Sequence, residues 1–406
     1  MKILQIATQV PYPPTDGGKL SVFGITKYLS KRNHEIEFVS YCNKYPDSNV
    51  IKGLKEYCNP HFIEADTKNN IYKAAINLFS NLPYNASKYK TNQMAIFLED
   101  FLKTRQFDVI HIDHLFLGWT VDIIRKYTNA PVILRAQNLE MNIMKRFAEA
   151  QRNPLLKNYA LLQYKKFLKY EPETCAKFDK CIMISEKDKQ ELLKFKPGLN
   201  VTCIPAGIES RLLEIPKKEF IPYSLVHIGH IDWYPNYDGL LWFCENVLRA
   251  IIKDLPEIKL YIYGSGKTGN FKIPKGLEKN IIVKGFVDNI WIELQDKALA
   301  VVPLRIGGGI RIKILELLAT GTNIISTTIG KEGIDITDNK EILIADDALS
   351  FKSKILNFFE GKYNWEKMSE NSRSFIREFY TWEKVVADFE KEYLKILNTN
   401  SKSKKL

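Results

Sequence analysis

The chain has 406 residues, 45% of them hydrophobic and 26% charged, a composition that fits one or more packed domains and excludes a disordered or fibrous protein. No run of 18 uninterrupted apolar residues occurs, so no membrane-spanning helix is expected. The formal charge is +12 and uneven: residues 1–205 hold 30 Lys and Arg against 20 Asp and Glu, residues 206–406 hold 29 against 27.

In chain order, KILQIAT is the first strand candidate, because Gln5, Thr8 and Gln9 interrupt the apolar run that a signal peptide would keep. PPTDGGKLSVFGI then sets Gly17 and Gly18 between that strand and the helix-length LSVFGITKYLSKR, a cradle of backbone amides at a helix start. EIEFVSY, FDVIHI, PVILRA, KCIMIS and NVTCIP read as further strands. Between the first two of these, Ile71, Ala74, Ala75, Leu78, Phe79 and Leu82 recur at helical spacing among lysines. The expectation there is core packing, with a membrane-docking face as the alternative. FDVIHIDH ends a strand on Asp113 and His114, residue types that serve catalysis or bind substrate hydroxyls at a strand's carboxyl end. His111, inside the strand, reads as structural. With no second ligand set nearby and six cysteines lacking CxxC spacing, no metal site is expected.

The pattern restarts after residue 206 with SLVHIGH, IKLYIYG, NIIVKGF, ALAVVPL, TNIISTT and EILIAD. Strands alternating with helices predict parallel sheets built from βαβ units, hence two doubly wound domains over 1–205 and 206–378. A C-terminal helix over 379–396 and a disordered tail over 397–406 complete the expected organisation. YGSGKTGN ends like a phosphate loop, Gly266-Lys267-Thr268. That motif needs a glycine at 261, where Tyr261 stands, so it is set aside.

RIGGGIRIKILELLATG, residues 305–321, carries the strongest chemical signal. LAVVPLR reads as a strand and IRIKILELLAT as the helix after it. Gly307, Gly308 and Gly309 therefore precede a helix N-terminus, where free N–H groups and the dipole favour anions. Arg311 and Lys313 add formal positive charge. Glu316 sits in an apolar run and needs a partner or a use. An intrahelical Lys313–Glu316 pair is the plain alternative, and it leaves the glycines without a reason.

Several stretches together resemble the retaining, group-1 glycosyltransferases that transfer sugars from nucleotide donors: SLVHIGHIDWYPNYDGLLWF, IIVKGFVDNI, VVPLRIGGGIRIKILELLATGTNIISTTIGKEGID and IREFYTWEKV in the second half, and YPPTDGGKLSVFGITKYLSKRNHEIEFVS, FDVIHIDH, LRAQNLE, FDKCIMISEKD and IPAGIE in the first. The resemblance implies the GT-B fold, two Rossmann-like domains facing a central cleft. The GGG-x-R-x-K-x-x-E form is similar to a branch found in polysaccharide gene sets. Glu316 matches the second glutamate of the family's E-x7-E motif, which holds the donor ribose, while Gly308 replaces the first. The family's diphosphate-gripping arginine and lysine are replaced by His230 and Asn236, which implies that the charge has moved to Arg311 and Lys313 with Arg305 as helper. Gly17 and Gly18 match the loop that approaches the donor phosphate, and His114 or Asp113 the loop that contacts the transferred sugar. Gln137 stands where the family usually has histidine. Tyr263, Gly264, Gly285, Phe286 and Val287 match segments lining the nucleobase, and the helix after Tyr380 is expected to return to the first domain.

The implied function is metal-independent transfer of a sugar from a nucleoside-diphosphate sugar to a saccharide or lipid-linked acceptor in cell-surface polysaccharide synthesis, with no cofactor. The expected setting is cytoplasmic, peripheral on an anionic inner-membrane surface. No finger, ribonucleoprotein or helix-turn-helix pattern supports a nucleic-acid partner. A GT-B nucleotide-sugar epimerase and a non-catalytic nucleotide-sugar-binding protein are the alternatives.

Overall fold

A computed structural model describes residues 1–403 except 152, 265–270 and 308, with backbone only for 400–403. The chain falls into two compact units, residues 1–207 with 382–406, and residues 208–381.

The first unit holds seven parallel strands: β1 (Lys2–Ala7), β2 (Glu35–Cys42), β3 (Asn59–Glu64), β4 (Val109–Asp113), β5 (Val132–Ala136), β6 (Lys180–Met183) and β7 (Val201–Cys203). Their order is β3-β2-β1-β4-β5-β6-β7. The central strands are rich in buried Ile, Leu and Val because helices cover both faces of a parallel sheet. The winding reverses between β1 and β4, which pair with Ala7 opposite Asp113. At such a reversal the flanking loops part and leave a crevice at the strands' carboxyl ends. β3 was not foreseen: NPHFIE has one proline and few apolar residues, which an edge strand tolerates and a central one does not.

The last helix, Trp382–Ser403, takes in most of the stretch expected to form a tail. Trp382, Val385, Val386, Phe389 and Tyr393 are buried among β1, β2 and β4 residues of the first unit. Two glycines make room: a Cβ at Gly24 would lie 2.1 Å from the Trp382 ring and one at Gly207 would lie 2.5 Å from it.

The second unit repeats the plan with β8 (Ser224–Ile228), β9 (Lys259–Tyr263), β10 (Ile281–Gly285), β11 (Leu299–Val302), β12 (Asn323–Ser326) and β13 (Leu343–Ile344), ordered β10-β9-β8-β11-β12-β13. Its winding reverses between β8 and β11, so the loops after those two strands line its crevice. Among the described residues, no helix is long and apolar enough to cross a membrane.

One expectation is corrected here. The stripe from Ile71 to Leu82 does not form a single buried helix. The helix Ile71–Ile76 is followed by a 3₁₀ turn over Asn77–Phe79, and Ile71, Ile76, Leu78 and Phe79 face solvent.

Candidate functional site

In the second unit, the loop after β11 leads into the helix Ile312–Ala319, whose N-cap residue, Arg311, offers no side-chain cap. The first amides of that helix are therefore left to other partners. Gly307 and Gly309 take φ of 135° and 77°, a region in which other residues are strained. The approach at Gly307 is also steric, since a Cβ there would come 2.4 Å from Arg311 Nη2. Gly308 lies outside the described residues. Arg311 Nη1 donates to the Gly309 carbonyl at 3.0 Å, and its guanidinium lies 5.9 Å from the Trp233 ring centroid.

Lys313 does not pair with Glu316. Its Nζ donates to Asn236 Oδ1 at 2.9 Å and to the Ile228 carbonyl, the last of β8, at 3.1 Å. Asn236 is itself fixed, donating from Nδ2 to the His230 carbonyl at 3.0 Å. The ammonium thus stands at the side chain of Asn236, one of the two positions at which the resemblance expects a cation. Burial, reinforced by Arg311, pulls the Lys313 pKa down to about 7. The His230 side chain is exposed, and what it contributes to the loop is its carbonyl. Arg305 stands further off, 3.9 Å from Asp238 and stacked near Trp242.

One helical turn beyond Lys313, the Glu316 carboxyl has no ion-pair or hydrogen-bond partner among the described residues, and burial pushes its pKa up to about 8. Such a group gains most from ligand hydroxyls, which restore the hydrogen bonds it lost on leaving water.

The ends of β9 and β10 complete this crevice. Gly264 N donates to the Gly285 carbonyl at 2.9 Å, and a Cβ on Gly264 would sit 1.7 Å from the Gly229 carbonyl oxygen. Phe286 is exposed and Val287 packs on the core edge. The Tyr263 ring is buried and its hydroxyl donates to Glu293 at 3.0 Å.

In the first unit, Gly18 follows β1, and a Cβ built on it would meet Asp16, Gln137 and Gln9 side chains at 3.3–3.8 Å. Asp16 caps the helix Gly17–Lys31 by accepting from Lys19 N at 2.9 Å. Beside it lies a recess of about 460 Å³ whose lining includes Tyr12, Lys19, Tyr41, Asn43, Lys44 and Tyr89. No motif announced it: its residues come from five separate stretches and meet only in the fold.

Asp113 is a second correction. It is fully enclosed, with Arg135 Nη1 donating to Oδ1 at 3.1 Å and Gln5 Nε2 to Oδ2 at 2.7 Å. His111 Nε2 lies 3.4 Å from the same Oδ1 and His111 Nδ1 bonds Tyr393 of the last helix. Burial alone would raise the Asp113 pKa, but His111 and Arg135 outweigh it and hold the carboxyl at about 2. Both oxygens are spent on the scaffold, so Asp113 positions neighbours. His114 has φ 105°, stacks on Phe116 at 5.1 Å, and is kept neutral by burial that lowers its pKa to about 4. Arg135 completes this network, and its one signal in the sequence is a cation within the buried strand VILRA.

Comparison with known proteins gives a consistent picture. A family model described as Glycosyl transferases group 1 matches residues 222–360, and one described as Glycosyltransferase Family 4 matches residues 15–212. An uncharacterized 44.6 kDa protein in the cps region of Klebsiella pneumoniae is 24% identical over 96% of this chain and 99% of its own length. Among solved structures, sucrose-phosphate synthase from Thermosynechococcus elongatus superposes with TM-score 0.69 at 14% identity, covering 98% of this chain and 100% of that one. TarM gives 0.70 at 14% identity, covering 98% of each chain. Anabaena HepE, solved in complex with UDP, gives 0.67 at 11% identity, covering 97% and 100%.

Proposed function

We propose that the chain is a glycosyltransferase of GT-B fold that moves a sugar, with retention, from a nucleoside-diphosphate sugar to a saccharide or lipid-linked acceptor in polysaccharide synthesis, a reading supported by the two glycosyltransferase family models and the GT-B neighbours. The observation that carries the reading is the Lys313 ammonium held on Asn236 at a helix N-terminus, one turn before the unpartnered carboxyl of Glu316. A diphosphate fits the cation and the amides, and a ribose diol fits the carboxyl. HepE binding UDP, and a relative named from a cps region, support the donor class and the pathway.

In the proposed reaction an acceptor hydroxyl oxygen bonds to the anomeric carbon while the bond from that carbon to the diphosphate oxygen breaks. The diphosphate leaves with the electron pair and takes up the hydroxyl proton. Lys313 and Arg311 neutralise the charge that grows on the leaving group, so the step is proposed to run without a metal ion.

The test is a thermal-shift panel of UDP, GDP, ADP and CMP sugars on wild type and Glu316→Ala. One nucleotide class is expected to raise the melting temperature of wild type, as ligand binding to the folded state must, and the variant is expected to lose most of that rise. A shift that Glu316→Ala leaves intact would remove the ribose role. Product analysis with donor alone separates transfer, which needs an acceptor, from epimerisation, which does not.

A further inference from the structure

We propose that the first unit docks on an anionic lipid bilayer through the turn Ile71–Phe79 and the start of the helix Pro154–Cys175. The exposure is extreme for large apolar side chains: Phe79 is 95% exposed, Ile71 79%, Ile76 73% and Leu155 78%. Lone exposed residues of this kind are ordinary, but a cluster on two adjoining elements is not.

The two elements are tied together by polar groups. Gln163 Nε2 donates to Asn77 Oδ1 at 3.1 Å, Lys166 Nζ donates to the Asn77 carbonyl at 2.5 Å, and Tyr84 N donates to Gln163 Oε1 at 2.8 Å. Asn77 is buried while Ile76, Leu78 and Phe79 around it point to solvent. The clamp therefore holds the turn with its apolar residues outward. Leu155 and Leu156 lie about two helical turns, roughly 10 Å, before Gln163 on the same helix.

Charge selects the occupant. Residues 66–90 and 141–169 together hold 11 Lys and Arg against 2 Asp and Glu, a net +9 of the chain's +12. Aliphatic and phenyl side chains that can enter the acyl boundary, set among cations that meet anionic headgroups, supply the two signals that stable interfacial binding requires. The proposal stands on this surface alone and holds whatever the donor nucleotide proves to be.

The test is flotation of the full chain with vesicles of phosphatidylcholine alone or with 30% phosphatidylglycerol, at low and high salt. Binding is expected only to the anionic vesicles and to weaken as salt rises. Ile76→Ser/Phe79→Ser, at exposed positions, is expected to weaken it at least tenfold with an unchanged melting temperature. Lys157→Gln/Lys165→Gln is expected to cost a comparable factor. Absence of flotation overturns the proposal. So does flotation indifferent to the serine pair, which would make the surface a polyanion site. Self-association without lipid that the serine pair abolishes would assign the face to a second copy and overturn it as well.

Discussion

The half-buried Lys313 amine gives the proposed donor site a test at a single residue. Its pKa of about 7 lies well below the ordinary lysine value of 10.5, so near pH 8 the unliganded amine is mostly neutral. A bound diphosphate favours the charged form and must draw a proton from solvent. Calorimetry at pH 8 in buffers of different ionisation enthalpy is expected to find uptake of about one proton on nucleotide binding, absent in Lys313→Met. Equal uptake in both would place the proton elsewhere. The unfolded chain binds a proton here between pH 7 and 10.5 that the folded chain does not, so this residue makes stability rise with pH across that window. Asp113 behaves in the opposite range: held at about 2 against an ordinary 3.8, it contributes stability above pH 4 that is lost as pH falls toward 2. The sequence announced Lys313 and Glu316 through their glycines and helix register. It did not announce that Asn236 holds the ammonium, because that contact joins residues 77 apart.

At the scale of elements, the crevice of the second unit depends on strand ends that approach without side chains between them. Gly264 is the clearest case, its missing Cβ lying 1.7 Å from the Gly229 carbonyl oxygen. Gly264→Ala must push apart the loops after β8 and β9. It is expected to cost about 1–3 kcal/mol in denaturant titration and to abolish nucleotide-dependent stabilisation. Retained nucleotide stabilisation in that variant would show that the loops are not part of the donor site. Most strands were legible because buried parallel strands are short segments dominated by apolar residues. β3 was not, since an edge strand carries no such demand. The turn at Ile71–Phe79 departs from the expected core packing for a related reason: apolar spacing fixes which residues share a face, but not whether anything covers that face.

At the scale of the whole molecule, the last helix completes the core of the first unit from the far end of the chain. Trp382, Phe389 and Tyr393 are buried there, and Tyr393 reaches the His111–Asp113–Arg135 network. A chain ending at Thr381 is expected to lose cooperative folding of the first unit, read as a collapsed melting transition and aggregation. A truncated chain that melts like wild type would show the helix to be an accessory. By itself the sequence determined the parallel-sheet architecture, its two-part repetition and the glycine-rich, cationic helix start, because periodicity, glycine placement and helix-terminal charge are local properties of a chain. Only the tertiary structure decided that Asp113 is spent on its scaffold, that Lys313 rests on Asn236 and that the Phe79 turn lies open. Each of those is set by what a distant segment brings to the same place, and a linear sequence carries no measure of that distance.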